Sequence, residues 1–122
     1  MADSGLMIST YQDVTVVNFQ DSSILEGVAL EAINRELTPL IDQQARRKII
    51  LDFSQVRFLS SSMIGVLINL HKKSLAIKGK IVICGLRDDL TKVFKMARLD
   101  KMLTFAGNET EAMKCLDVFV SP

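Results

Sequence analysis

The chain has few of the side chains that build metal centres and nucleophilic active sites. Two of its 122 residues are cysteines, Cys84 and Cys115, one is a histidine, His71, and none is tryptophan. The cysteines form no C-x-x-C pair, so a zinc site or a Cys-His nucleophile has almost no side chains to use. Cys84 lies in the apolar run K-I-V-I-C-G and is interpreted as a buried strand thiol. We therefore expect no metal, no cofactor and no catalytic residue.

An excess of one charge and a long apolar run are also absent. The formal net charge is +1, which gives no overall basic field to attract nucleic acid. The short basic runs at residues 46–48 and 72–73 are interpreted as solvated ends of helices and strands. No apolar run approaches the roughly 20 residues of a membrane span, and the N-terminus lacks a secretion signal pattern. We expect no direct DNA binding, no membrane association and a cytoplasmic location.

The chain does contain enough apolar residues, 48%, to bury the core of one domain. We expect a single domain over residues 1–122, with residues 1–6 and 118–122 loose. Strand-like runs and helical periodicities alternate in the order β-β-α-β-α-β-α-(β)-α. Two apolar strands are each followed by a helix, which is typical of parallel pairing. The predicted fold class is therefore α/β, a mixed β-sheet of four to five strands with about four helices.

Cap residues and periodicity predict where these elements begin and end. Residues 21–23 offer caps for a first helix, which Pro39 is expected to kink or restart. The central helix starts near Ser61 and is ended by Gly79. The other predicted elements are strands at residues 7–10, 14–19, 48–53 and 80–84, a third helix opened by Asp88 and Asp89, a short connection or last strand at 99–105, and a fourth helix capped by Asn108.

Three consecutive serines, Ser60, Ser61 and Ser62, stand where the central helix begins. Hydroxyls at this position can cap the helix, hold an anion at its positive end or accept a phosphoryl group. The preceding loop lacks the glycines and lysine of a nucleotide P-loop, and there is no G-x-S-x-G elbow. His71 lies about ten residues further on, about 15 Å along the helix, so a serine nucleophile lacks a base. Hydrolytic catalysis is disfavoured, and the three other roles stay open.

The central helix is apolar over a wide arc. Either a neighbouring helix covers the flank of this arc, or Ile64 and Ile68 belong to a docking surface beside the serines. The predicted inward stripe is Met63, Val66, Leu67, Leu70 and Ile77, and the flank is Ile64, Ile68 and Leu75.

Two acidic residues follow predicted strands. Asp52 is expected to cap nearby backbone N–H groups, with a metal-binding role as the weaker alternative. Asp21, with Ser22 and Ser23, is expected near the triple serine, because the ends of adjacent strands converge.

Residues 51–67 read L-D-F-S-Q-V-R-F-L-S-S-S-M-I-G-V-L. This segment resembles the signature of bacterial anti-sigma factor antagonists in the STAS domain family, D-[LF]-S-x-V-x-[FY]-[ML]-D-S-[ST]-G-[LI]-G-[VL]. The register is unbroken, with Ser60 in place of the aspartate and Met63 in place of the first glycine. Looser similarity covers nearly the whole chain. The resemblance implies a STAS domain with the element order given above.

The resemblance also implies a regulatory protein-interaction module rather than an enzyme. Such proteins bind an anti-sigma factor that is also a serine kinase of the histidine-kinase-like ATPase type, and so release a sigma factor. The kinase would phosphorylate Ser61, or less favourably Ser62 or Ser60, and a serine phosphatase would reset the switch. The residues expected to contact the partner are Asp21, Ser22, Ser60, Ser61, Ser62, Met63, Ile64 and Ile68.

Two other functions stay open at this point. One is an unphosphorylated STAS scaffold within a larger signalling assembly. The other is a ligand-sensing domain that holds a nucleotide or another anion at the start of the central helix. A homodimer is an assembly that any of these functions would allow.

Overall fold

The computed structural model describes residues 6–20, 23–24 and 28–116. Five strands form one mixed sheet in the order β1-β2-β4-β6-β7, with four helices packed on its faces. This architecture confirms the predicted α/β class and the mixed sheet. The elements are β1 Leu6–Tyr11, β2 Val14–Phe19, β3 Ser23–Ile24, α1 Val28–Asp42, β4 Lys48–Asp52, β5 Phe58–Leu59, α2 Ser61–Ala76, β6 Lys80–Cys84, α3 Asp88–Met96, β7 Thr104–Ala106 and α4 Glu109–Cys115.

The sheet combines one antiparallel hairpin with four parallel strands. In the β1–β2 hairpin Leu6 lies opposite Phe19, so the prediction that Leu6 belongs to a loose end is wrong. The turn places Gln12 in the left-handed region, with φ 54°, which allows a tight reversal without glycine. Strands β2, β4, β6 and β7 run parallel, so their carboxyl ends share one edge, here called the upper edge. Their amino ends form the lower edge.

A second, two-stranded sheet was not predicted. Strand β3 pairs in parallel with β5, so Ser23 lies opposite Phe58 and Ile24 opposite Leu59. Ser23, expected to cap the first helix, is therefore a strand residue, and α1 begins at Val28. The pairing brings the chain beyond β2 beside the loop that precedes α2.

The core has two layers because strand side chains alternate between the faces of the sheet. Helices α1, α2 and α3 cover one face, where Phe19 and Phe53 pack with ring centroids 4.6 Å apart. The short helix α4 covers the other face through Ala112 and Met113. Of the predicted inward stripe of α2, Met63, Leu67 and Leu70 are buried, while Val66 and Ile77 are partly buried.

Two predicted helix features are corrected by the structure. Helix α1 continues past Pro39 to Asp42, so the proline lies in its last turn and the alternative of a restarted helix is wrong. Helix α2 ends in a Schellman motif, in which the Gly79 N–H donates to the Ser74 carbonyl at 2.8 Å and the Lys78 N–H to the Leu75 carbonyl at 3.0 Å. The left-handed residue of that motif is Lys78, with φ 59°, and not Gly79.

Helices long and apolar enough to cross a bilayer do not occur among the described residues.

Candidate functional site

The three serines have different positions at the start of α2. Ser60 is the N-cap: its backbone is extended, with φ −87°, and its Oγ accepts the Met63 N–H at 3.2 Å. The Ser60 carbonyl also accepts the N–H groups of Met63 and Ile64. An aspartate caps a helix in the same way, so Ser60 preserves the capping function of the residue that it replaces and lacks only the charge.

Ser61 and Ser62 are the first two residues of α2, and both side chains are exposed. No hydrogen bond joins the Ser61 hydroxyl to another residue in the described part of the chain. Ser61 thus presents a free hydroxyl beside the first amides of the helix, where partial positive charge favours an anion.

The first turn of α2 differs from those of the other helices. Helix α1 carries Glu31 there, α3 carries Asp88 and Asp89, and α4 carries Glu109 and Glu111, whereas α2 carries no acidic residue. A carboxylate at a helix N-terminus neutralises its partial positive charge. The first turn of α2 itself supplies no such carboxylate.

The expected apolar contacts beside the serines divide into one core residue and two surface residues. Met63 is fully buried in the layer beneath α2, so the expectation that its side chain contacts a partner is wrong. Its volume fills the core at a position where the family form has glycine. Ile64 and Ile68 are half-buried and pack against the same core, so part of each side chain reaches the surface.

Phe58 was missed as a candidate. It lies on β5, two residues before Ser60, and 60% of its surface is exposed. An aromatic side chain so exposed beside a helix start offers a large apolar contact. The one usable signal in the sequence is an aromatic residue within the motif itself. Asp21 and Ser22, also predicted to contact a partner, lie outside the described residues, although the next residue, Ser23, pairs with Phe58.

Gly65 lies one turn beyond Ser61 on the exposed side of α2. A Cβ atom built at this glycine would meet no described atom within 4 Å. Packing inside the domain therefore does not require glycine here, although glycine weakens a helix interior. Bare backbone at this position lets another molecule approach α2 closely.

A second polar cluster lies at the upper edge, on the face covered by α4. Asn18, Asp52 and Cys84 are neighbours in register across β2, β4 and β6. The Glu109 carboxyl, on the first residue of α4, hydrogen-bonds to Asp52 and to the Asn18 side chain. Asp52 Oδ1 also accepts the Ser54 N–H at 2.9 Å, which confirms its predicted capping role.

These contacts shift three pKa values. The hydrogen bond to Asp52, together with burial, raises the pKa of Glu109 to about 7. Burial alone would raise the pKa of Asp52, but hydrogen bonds from Glu109 and Ser54 outweigh it and lower that pKa. Burial, with the carboxyls of Asp52 and Glu109 nearby, raises the pKa of Cys84 to about 12. Glu109 thus shares a proton with Asp52 and ties α4 to the sheet, and Cys84 is an unreactive thiol.

The remaining candidates stay apart from the serines. His71 is half-buried on α2, more than two turns beyond Ser62. Within the described ranges there is no group of three or more His, Cys, Asp or Glu residues suited to a metal ion.

Similar folds occur in three solved structures. An anti-sigma-factor antagonist (STAS) domain protein from Planctomyces limnophilus is 19% identical, with a TM-score of 0.83 over 94% of this chain and 99% of that one. The Bacillus cell fate determinant SpoIIAA in its phosphorylated form is 20% identical, with a TM-score of 0.69 over 92% and 96% of the two chains. A chain of the stressosome, described as a signal integration and transduction hub, is 17% identical, with a TM-score of 0.67 over 91% and 96%.

The TM-scores show that the fold is shared. The decisive match is to the STAS domain family model, which aligns with residues 6–112 and so includes both the serines of α2 and the Glu109 cluster. Since this match spans most of the 122 residues, the chain belongs to the STAS domain family.

Proposed function

We propose that the chain is a regulatory protein-interaction module, an anti-sigma factor antagonist that phosphorylation of Ser61 switches off. One observation carries this proposal: Ser60 caps α2, while the Ser61 hydroxyl is exposed and makes no hydrogen bond to another described residue. Modification of Ser61 therefore removes no contact on which the described structure depends.

The partner-binding surface, here called the serine face, consists of exposed or half-exposed residues around that hydroxyl. Phe58 and Ile64, which precede and follow Ser61 in the sequence, supply apolar area, and Gly65 lets a partner approach the helix backbone. Asp21 and Ser22 are proposed contacts on sequence grounds. The face comprises Phe58, Ser60, Ser61, Ser62, Ile64, Gly65 and Ile68.

Phosphorylation would act on this face by charge and bulk. A phosphate adds about 1.5 to 2 negative charges in the middle of the serine face. The N-terminus of α2 stabilises that charge, and no acidic residue in its first turn repels it. The domain would keep its fold while the partner loses an uncharged contact. SpoIIAA, which shares the fold, has been solved in its phosphorylated form.

The proposed partner is an anti-sigma factor that is also a serine kinase of the histidine-kinase-like ATPase type. Binding to it would release a sigma factor, and a serine phosphatase would restore binding. The domain itself is proposed to act without catalysis.

The test combines phosphorylation with binding. The full chain is incubated with the histidine-kinase-like anti-sigma factor of the same genome and ATP, and modified residues are mapped by mass spectrometry. We expect phosphate on Ser61. Ser61→Ala should take up no phosphate and should keep its affinity for the kinase. Ser61→Glu should bind the kinase at least about tenfold more weakly, because it leaves a charge unpaired in the interface.

Ser9→Glu is the matched control, since Ser9 is exposed on β1 and Glu adds the same charge away from α2. Its affinity should equal that of the unsubstituted chain. Absence of phosphate from residues 60–62 would overturn the switch. Equal loss of affinity in Ser9→Glu and Ser61→Glu would overturn the serine face.

The second candidate is an unphosphorylated STAS scaffold in a larger signalling assembly. Two observations favour it: Ser60 lacks the carboxylate of the family form, and a chain of the stressosome shares the fold. For this function we expect stable binding to a multidomain partner, unaffected by kinase and ATP.

A further inference from the structure

The lower edge of the sheet concentrates positive charge at the end of the strands remote from Ser61. Two adjoining depressions open there, with volumes of about 560 Å³ and about 340 Å³, and Arg47 and Lys48 line both. The described cations that line them, here called the basic edge, are Arg46, Arg47, Lys48, Lys78 and Lys80, and Asp13 supplies the one carboxylate among the lining residues that the structure describes.

The fold assembles this surface from two segments about thirty residues apart. Lys48 and Lys80 are paired in register as the first residues of β4 and β6. The Lys80 N–H donates to the Arg47 carbonyl at 2.7 Å. A Cβ atom on Gly79 would lie 2.8 Å from that same oxygen, so glycine is needed for the two segments to approach this closely. The cations are therefore held on a rigid frame.

Three of the five cations have partners within the domain. Lys48 Nζ lies 3.0 Å from a carboxylate oxygen of Asp13, Lys80 Nζ donates to the Cys115 carbonyl at 3.4 Å, and Arg46 Nε donates to the Gln44 side chain.

Arg47 and Lys78 remain exposed, and no side-chain hydrogen bond or ion pair joins either to another described residue. Lys78 also occupies a left-handed backbone position, where glycine would be more relaxed. Like charges held together on a rigid frame repel one another, and an anionic partner would relieve that repulsion.

We propose that the basic edge binds an acidic segment of a partner protein. Two adjoining depressions suit an extended chain with carboxylates spaced along it, whereas one compact anion would occupy only one of them. Among the described residues no aromatic side chain lines either depression, so these residues offer no stacking platform for nucleic-acid bases. The described lining residues also include no exposed large apolar side chain that could enter a lipid surface. The domain would then bind partners at both ends of its sheet.

The probe is fluorescently labelled octaglutamate. Its binding to the full chain is measured by fluorescence anisotropy at low and at high salt. We expect saturable binding that weakens with salt. The double variant Arg47→Gln/Lys78→Gly should weaken binding at least about tenfold at low salt, because it removes the two cations that have no partner in the described domain. The matched control Lys72→Gln/Lys92→Gln removes the same charge from exposed positions on α2 and α3 and should weaken binding less than about twofold.

Lys78→Gly alone relieves the left-handed strain, so it should fold at least as stably as the parent while it binds the peptide more weakly. Absence of saturable binding would overturn the proposal, as would equal weakening in the two double variants. If the chain binds octathymidylate or phosphatidylserine vesicles more tightly than octaglutamate, the ligand of the basic edge is nucleic acid or a membrane and not an acidic peptide. The assay needs no kinase and is repeated on Ser61→Ala, so its result is independent of the proposed switch.

Discussion

Adjacent residues with the same side chain have different functions at the start of α2. Ser60 caps the helix and Ser61 does not. Ser60→Ala should lower the free energy of unfolding by about 1 kcal/mol, because the Met63 N–H loses the side-chain acceptor and keeps only the Ser60 carbonyl. Ser61→Ala should change it by less than about 0.5 kcal/mol, as expected for an exposed residue. Urea denaturation of both variants measures the difference, and equal losses would contradict this division of roles.

The Asp52–Glu109 pair makes stability depend on pH. The folded chain holds a proton on Glu109 with a pKa of about 7, while the unfolded chain releases it near the ordinary value of 4.5. Between these values the folded state binds more protons than the unfolded state, so the free energy of unfolding falls as pH rises. Asp52, with its lowered pKa, contributes in the opposite direction only below its ordinary value of 3.8.

Glu109→Gln should flatten this decline, because the amide can still donate to Asp52 but does not titrate. The measurement is the midpoint of urea unfolding from about pH 5 to about pH 8. Glu36→Gln, which alters an exposed carboxyl on α1, is the control and should keep the slope of the parent. If the unfolding midpoint of Glu109→Gln still declines with pH as in the parent, a group other than Glu109 is responsible for the decline. Cys84 and Asn18 also face this pair and stay unchanged in both variants.

Sequence reasoning succeeded for residues whose contacts are local and failed for those whose contacts are distant. The cap at Asp52 involves Ser54, two residues away, and was predictable. The contact between Asp52 and Glu109 forms only when α4 packs on the sheet, and no spacing in the sequence indicates it. Met63 was expected both in the inward stripe and at the partner surface, and only its burial decides between them.

At the level of elements, periodicity predicted the long helices and the buried strands because their patterns extend over many residues. Strands β3 and β5 have two residues each, too few to show a period, and they exist because the chain beyond β2 pairs with the loop before α2. The sequence predicts that Gly79 ends α2, and glycine is the usual left-handed residue after a helix. Lys78 supplies it here, and Gly79 serves the close approach to Arg47.

Gly65 provides a test of the serine face at the level of the helix. Gly65→Ala should raise the free energy of unfolding by about 0.5–1 kcal/mol, since an added methyl group meets no atom of the described residues within 4 Å and alanine favours the helix. The same methyl group should weaken binding of the kinase partner if α2 is approached closely at this position. Thermal unfolding and a binding titration are both needed. A gain in stability without loss of affinity would remove Gly65 from the contact surface.

At the scale of the whole molecule, the two layers of the core are unequal in the part of the chain that the structure describes. There, nineteen buried residues form the layer that includes α1, α2 and α3, and eight form the layer that includes α4. Local opening requires less free energy where fewer apolar contacts are broken. The fold therefore predicts that α4 opens before α2.

Truncation of Met113 tests this order of opening. Met113 is buried under α4, and Met113→Ala should destabilise its layer by about 2–5 kcal/mol, the usual cost of such a cavity. Native-state hydrogen exchange should then show α4 amides exchanging much faster while α2 amides keep most of their protection. Leu67→Ala truncates a side chain that is also buried, in the other layer. It should accelerate exchange in both helices, because α4 cannot stay docked once the larger layer has opened. Equal acceleration of α2 and α4 in Met113→Ala would mean that the two layers unfold as one unit.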